Sequence, residues 1–361
     1  MSQSLPQVLL QQSQTRGAQV ALRYKQLGIW QTRSWSELAV DVSRLAGALH
    51  QKGFGTGHDL LIISQARAEA LLLALAAHWL GGSVSLLDPA VDNRDLLASL
   101  APDFAVAEGL EAVVQLRSAP PNFLVFLDKR GLSDAQDKGL IAYAELLDGV
   151  PAEPPRPAAD ATATAFIFPT LDGVLPQVLS HQDLLLGAQQ LIDTQGLASH
   201  EQALAARVFA ASGQARYLLA PWLVAGFCLN FPEGLSTRDN DRRELGPTLV
   251  LGTRESYARL ELWARERQPL PGSFSHWLYQ WAMAPASDVL RRWLGHWLIR
   301  RPLLDVLGMS RLNKPLLVGE ALTPQSAAFF SALGIRPRPL STLGNASVPV
   351  DLSVSTSPQL A

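Results

Sequence analysis

Cysteine is almost absent from this 361-residue chain: Cys228 stands alone. A single cysteine excludes an internal disulfide framework and fits a reducing compartment. Charge is sparse too. Charged residues make up 17% of the chain and the formal net charge is −2, so no global field favours nucleic acid. Long apolar runs are missing as well. The most apolar helical stretch, 66–80, contains Arg67, Glu69 and His78 and is shorter than the ~20 residues a membrane span needs. Met1 is followed by Ser-Gln-Ser-Leu-Pro-Gln, with neither the basic segment nor the apolar core of a signal peptide. The histidines are scattered at 50, 58, 78, 181, 200, 276 and 296, without metal-ligand spacing. The expected location is cytoplasmic, with attachment at a membrane periphery kept open.

Hydrophobic residues, at 48%, are abundant enough for a globular chain. Its length predicts two or three subdomains. Ser34-Trp35-Ser36-Glu37 reads as a capping box, followed by apolar residues at helical spacing up to Leu49, and Gly53 stops the run. Strands are predicted at 60–63, 84–87, 104–107 and 122–127, with helices at 66–80 and 92–100 between them. Strands this apolar, separated by helices, imply a parallel sheet covered on both faces. Pro151 to Pro157 is a stiff linker. Beyond it come predicted strands at 163–168, 248–251 and 316–318 and helices at 180–192, 256–268 and 324–333. The domain reading is a first α/β subdomain over 1–157, a second over 158–345 with a Trp-rich helical insertion, and a flexible tail over 346–361.

The stretch from Phe168 to Gln177 (Phe-Pro-Thr-Leu-Asp-Gly-Val-Leu-Pro-Gln) sits between a strand and a helix, where a phosphate-binding loop would lie. Such a loop needs glycines for close backbone approach, hydroxyls to donate and a lysine as a point charge. Thr170, Asp172, Gly173 and Gln177 are what remain, and there is no lysine.

Several ordered pieces resemble the AMP-forming acyl-CoA synthetases of the adenylate-forming superfamily. They are 23–31 with Ser34 to Leu38, 53–64, Val224 to Glu233, 244–248, 302–308, and Gly319-Glu320-Ala321 with 329–335. The similarity runs from about Ala21 to Asn345 and is strongest towards long-chain members. It implies an α/β fold of two adjacent parallel-sheet subdomains with flanking helices, like the N-terminal domain of those enzymes. It also implies ATP, Mg and CoA as cofactors: a carboxylate attacks the ATP α-phosphate and CoA then displaces AMP. Catalysis of that kind is mostly positioning and charge stabilisation.

Four departures argue against that chemistry. Gln177 falls close to the family lysine, and each charge-assisted bond lost forfeits roughly 1.5–3 kcal/mol. Pro169 and Pro176 remove two N–H donors. In the stretch Leu340 to Asn345, Ser341 and Thr342 stand in the family's nucleotide turn. Asn345 there replaces the glutamate that organises Mg, and an amide is a poor hard-cation ligand. No counterpart of the C-terminal lid and its lysine follows, and the lid is the moving part that completes such a site. Residues 205–217 replace a segment that contacts the acyl pocket in relatives. Loss of one preorganised donor costs about 10²–10³ in rate, so these losses together predict a non-catalytic frame with no cofactor of its own.

His181 opens the helix after the loop and reads as a cap or packing residue, since no acid lies beside it in sequence. Cys228, in an apolar strand, reads as a buried inert thiol. Trp277 and Trp281, and Trp293 and Trp297, are i,i+4 pairs, with Arg291, Arg292, Arg300 and Arg301 alongside. Tryptophan with arginine is the composition of an interaction surface. The simpler reading, preferred here, is that these tryptophans cover the second core.

The functional expectation is therefore a pseudoenzyme that acts as a binding, scaffold or regulatory protein in fatty-acid or polyketide-type metabolism. A protein partner or homo-oligomer is expected, an acyl ligand and peripheral membrane contact remain open, and nucleic acid is excluded. The alternative is a divergent or split AMP-forming ligase that activates a carboxylic acid, its lid supplied by another chain.

Overall fold

The structure, a computed structural model, describes residues 3–132, 139–146, 156–170, 175–207, 209–284 and 289–340. Its strands, in chain order, are β1 (Val20–Gln26), β2 (Ile29–Ser34), β3 (Asp59–Ile63), β4 (Ser83–Leu87), β5 (Phe104–Ala107), β6 (Phe123–Phe126) and β7 (Ile141–Ala142). They continue as β8 (Thr164–Phe168), β9 (Gln177–Ser180), β10 (Gln202–Leu204), β11 (Cys228–Phe231), β12 (Leu249–Gly252), β13 (Lys314–Leu317) and β14 (Arg338–Pro339). Two seven-stranded sheets result, ordered β7-β6-β5-β3-β4-β8-β9 and β14-β13-β12-β10-β11-β1-β2. All neighbours pair parallel except at one edge of each sheet, where β9 runs antiparallel to β8 and β2 to β1.

Each sheet takes strands from both sides of residue 157. The hairpin β1–β2 joins the sheet built mostly from the second half of the chain, through β1 paired with β11. The hairpin β8–β9 joins the other sheet, through β8 paired with β4.

Why both faces of these sheets are buried is visible in the alternation along the strands. Leu60 and Ile62 of β3 face a core shared by the two sheets, while Leu61 and Ile63 face a second core closed by the helices Arg94–Leu100 and Leu110–Leu116. Successive side chains of a strand point to opposite faces, so a strand with no polar position has to be covered twice. The same split occurs in β13: Leu316 enters the shared core and Leu317 a third core under the helices Arg254–Glu266 and Pro324–Ala332. The architecture is thus five layers, with helices on either side of each sheet and one helical layer between them.

That middle layer explains the helix Ala68–Trp79. It packs against β3 and β4 of one sheet and β1 of the other, and every residue in it except Glu69 is buried. Beside it lies Trp35–Gln51, begun by the expected capping box: Ser34 Oγ accepts from the Glu37 amide, and the Glu37 carboxylate accepts from the Ser34 amide at 2.8 Å. Lys52 closes that helix and Gly53 follows at φ +89°.

The helix expected over 180–192 is present, running from His181 to Gln195 with Ser180 as its cap. Between the supposed phosphate loop and this helix lies a strand that was not expected, β9. Its alternating Val178 (exposed) and Leu179 (buried) form the outer strand of a hairpin, a pattern too short to stand out beside the loop. Residues 217–231 divide into helical turns up to Ala225, a left-handed Gly226 and β11. Most of the linker, 151–155, and the whole tail, 346–361, lie outside the described residues.

Candidate functional site at the carboxyl ends of the strands

In an open parallel sheet, ligands bind at the carboxyl ends of the strands. Here the carboxyl ends of the two sheets come together. Asp88, which follows β4, acts electrostatically on Arg207, which follows β10, and Glu233, which follows β11, acts on Arg130, which follows β6. Those residues expected to bind nucleotide that the structure describes, Thr170, Gln177, Gly319, Glu320 and Ala321, are on this edge as well.

The hairpin β8–β9 holds the stretch where a phosphate loop was sought. Thr170 lies just beyond β8 and is exposed. Gln177 is not in the loop: it is the first residue of β9, in register with Phe168. Leu175 is 84% exposed, so it does not fill the cleft between the sheets. Asp172 and Gly173 lie outside the described residues. So do Ser341, Thr342 and Asn345.

On the other sheet, Gly319 follows β13 at φ +83°, and no atom lies within 4 Å of where a side chain would begin. Exposed Glu320 is ion-paired with Arg254, the first residue of the helix after β12. Ala321 is exposed. The expected Gly-Glu-Ala turn is therefore placed on the strand-end edge, with its carboxylate already engaged by an arginine.

An arginine cluster occupies the middle of this edge. Asp239 is held by Arg259 through two bonds, of 2.7 and 3.1 Å, and by Arg242 at 2.8 Å. Arg242 also donates to the Leu307 carbonyl at 2.7 Å. Arg207 donates to the Thr253 hydroxyl, and Arg238 to the Ala206 carbonyl at 3.5 Å. Neither Arg207 nor Arg238 is ion-paired among the described residues, and the buried Nε of Arg238 has no hydrogen-bond partner there.

The energetics follow from this crowding. Burial, with the neighbouring charges of Arg259, Arg242 and Arg207, pulls Arg238 down to about 10, and it remains charged at neutral pH. Burial also lowers Arg207. Burial alone would raise the Asp239 carboxyl, but Arg259, Arg242 and Arg238 outweigh it and hold it at about 2. Three guanidiniums around one carboxylate leave a positive excess on this rim.

The facing edge is mixed in sign. Arg67, which caps the helix after β3, lies 3.2 Å from Glu69, 3.7 Å from Glu108 and 3.9 Å from Asp128. Glu108 also accepts from the Gln65 amide at 2.7 Å. Burial alone would lower the Arg67 guanidinium; those three carboxylates raise it instead.

Sequence reasoning missed both clusters. A signal was available: a charged residue directly after an apolar parallel strand stands at the carboxyl edge by construction. His181 is where packing was expected. It is buried between layers, its ring 5.1 Å from that of His78, and burial lowers it to about 4. Cys228 is buried, and desolvation raises its thiol to about 11, which leaves it protonated and inert.

The Trp-rich segment departs from the preferred expectation. Trp281 is half-buried, but Trp277 is 59% exposed, Trp293 58% and Trp297 48%. Of the arginines, Arg291 and Arg300 turn inward to the Trp281 and Ala282 carbonyls, at 2.9 Å and 2.6 Å, while Arg292 and Arg301 are exposed. The third core is filled by Tyr257, Leu307 and Phe330 instead.

With the geometry in place, comparison with known proteins gives a consistent picture. Residues 9–164 match a family described as AMP-binding enzyme. No curated protein matches the chain in sequence. Among solved structures, an anthranilate CoA ligase in complex with anthranoyl-AMP superposes with a TM-score of 0.69 at 15% identity, over 93% of this chain and 59% of its own. The A domain of a carboxylic acid reductase from Segniliparus rugosus, in complex with AMP and a co-purified carboxylic acid, gives 0.72 at 16% identity, over 94% and 60%. The Brucella canis acyl-CoA synthetase gives 0.68 at 17%, over 92% and 56%. The chain therefore has the fold of the N-terminal domain of adenylate-forming enzymes and spans little more than half the length of these three proteins.

Proposed function

We propose that this chain uses the adenylate-forming frame to bind and not to adenylate, as a scaffold or regulatory protein of fatty-acid or polyketide-type metabolism. The observation that carries the reading is the hairpin β8–β9. It falls where the sequence reading expects a phosphate loop, and no lysine or arginine occurs from Phe168 to Ser180. Gln177, nearest the place of the missing cation, begins a paired strand. Glu320, a carboxylate on the same edge, is neutralised by Arg254. These residues do not fit Mg·ATP, whose phosphates call for positive charge at the loop and free carboxylates for the metal.

ATP–pyrophosphate exchange with a panel of carboxylic acids tests this. The expected result is no exchange above a boiled control; clear exchange would overturn the reading.

The second reading is a divergent or split acyl ligase, favoured by one observation. Arg207 and Arg238 lie at the carboxyl edge, each without an ion pair among the described residues, and could supply charge that the loop lacks. Exchange that appears only with a co-purifying short chain, and is lost in Arg207→Ala, would establish it.

A further inference from the structure

All four exposed phenylalanine and tryptophan side chains among the described residues lie within one segment, 270–298: Phe274, Trp277, Trp293 and Trp297. Leu270, Val289, Leu290 and Leu298, each more than half exposed, lie among them. Scattered single apolar residues on a surface need no explanation, but a concentration of large aromatic ones does.

The local structure explains why they face outward. The helices Phe274–Met283 and Val289–Gly295 approach closely at Ala282 and Gly295, where a side chain on Gly295 would touch Ala282 at 3.4 Å. Both of these small residues are buried. Arg291 and Arg300 cap the first helix by donating to the Trp281 and Ala282 carbonyls, which a helix terminus leaves without intrahelical partners. Leu290, Trp293, Trp297 and Arg301 follow at spacings of three and four, and all four are exposed. The run passes from the α-helix Val289–Gly295 through a π-helix, His296–Arg300, and it is their common exposure that marks one outward face. Phe274 and Trp277 stack at 5.7 Å on the neighbouring helix.

Charge selects the occupant. From Arg267 to Leu304 there are five arginines and one acid, Asp288. Arg292 and Arg301 are exposed, and Arg301 lies over the Trp297 ring at 4.3 Å. Tryptophans and leucines in a helical stripe, with arginine as the charged partner, match the headgroup zone of an anionic bilayer. There an indole ring is half solvated, and each arginine near the surface adds attraction. No described helix is long and apolar enough to cross a membrane, so the segment would lie on the surface.

We propose that the helix Phe274–Met283 and the helical run from Val289 to Arg301 dock this chain on anionic lipid membranes, with Trp293 and Trp297 at headgroup depth and Arg292 and Arg301 against lipid phosphates. The reading is independent of whether the cleft retains any chemistry.

Flotation of the full chain tests it, with vesicles of phosphatidylcholine alone and of equimolar phosphatidylcholine and phosphatidylglycerol. Tryptophan emission is followed in parallel. The wild-type chain is expected to float with the anionic vesicles and shift its emission to the blue, and to remain mostly in solution with the neutral ones. Trp293→Ser/Trp297→Ser and Arg292→Glu/Arg301→Glu are each expected to weaken binding about tenfold or more. These side chains are exposed, so unchanged melting curves are expected and verify that the variants fold. Flotation absent in the wild type, equal with both vesicle types, or undiminished in both variants would overturn the proposal. So would self-association that Trp293→Ser/Trp297→Ser abolishes in a chain that ignores vesicles, which would make this face a protein interface.

Discussion

The indoles of Trp35 and Trp222 stack in the middle layer with ring centroids 5.0 Å apart, yet only Trp222 has a hydrogen-bond partner. Its Nε1 donates to the Ala21 carbonyl at 2.9 Å, where the β1–β2 pairing shifts register. The buried Nε1 of Trp35 has no partner among the described residues. The stack is therefore symmetric in shape and asymmetric in polarity. Replacing either residue by phenylalanine removes the same atoms. Trp222→Phe also forfeits a buried hydrogen bond to a backbone carbonyl, whereas Trp35→Phe removes an orphaned donor; a hydrogen bond contributes about 0.5–1.5 kcal/mol net and an unsatisfied buried group costs about 1–3 kcal/mol. Urea unfolding is expected to show Trp222→Phe as the more destabilising by about 2 kcal/mol or more; equal effects would refute this account.

His78 and His181 make the chain acid-sensitive. His78 Nε2 lies 2.8 Å from the Ala165 carbonyl, and burial, with the neighbouring His181, lowers its pKa to about 3; burial lowers His181 to about 4. Both folded values lie below the ordinary value of 6.5. Above that pH the two states bind equal protons at these sites. Below it the unfolded state takes up protons that the folded state refuses, so stability falls until the folded values are reached. The expected slope between pH 6 and 4 is about 1 kcal/mol per unit for each histidine. His78→Gln, which can keep a donor to Ala165, should roughly halve that slope while changing stability at pH 7 much less. Melting curves across this range check it.

Asp239 anchors the arginine rim. Its carboxyl is held at about 2 against an ordinary 3.8, so its contribution is present above pH 4 and fades as pH drops through 2. Asp239→Asn leaves the guanidiniums of Arg238, Arg242 and Arg259 facing one another. Because the cluster is partly solvated, the expected cost is only about 1–3 kcal/mol. Added salt should recover part of it by screening. A loss of stability indifferent to salt would mean that packing, and not charge, is what Asp239 supplies.

Cys228 is expected to resist thiol reagents in the folded chain and to react fully once unfolded, since burial both raises its thiol to about 11 and blocks access. Titration with a chromogenic disulfide before and after denaturant measures it. Rapid reaction of the native protein would show that β11 opens readily.

How much of this was legible beforehand depended on range. The capping box at Ser34 and Glu37 and the strand Phe104–Ala107 were readable because they depend on neighbours a few residues away. The strand β9 was missed because four residues, the first read as loop and the last as a helix cap, are too short a run of alternation to register. The exchange of hairpins between sheets, with β1 beside β11 and β8 beside β4, has no local signature.

The candidate site divides the same way. The amino-acid sequence by itself determined that the stretch from Phe168 to Gln177 carries no cation, since composition survives any folding. It could not place Arg207 with Asp88, which meet only when the carboxyl ends of both sheets converge, or Arg259 with Asp239, which meet only once β11 and β12 lie in one sheet. Nor could it decide the tryptophans of 277–297: helical spacing marks a face, and only the layers already filling the core determine that this face is left to the outside.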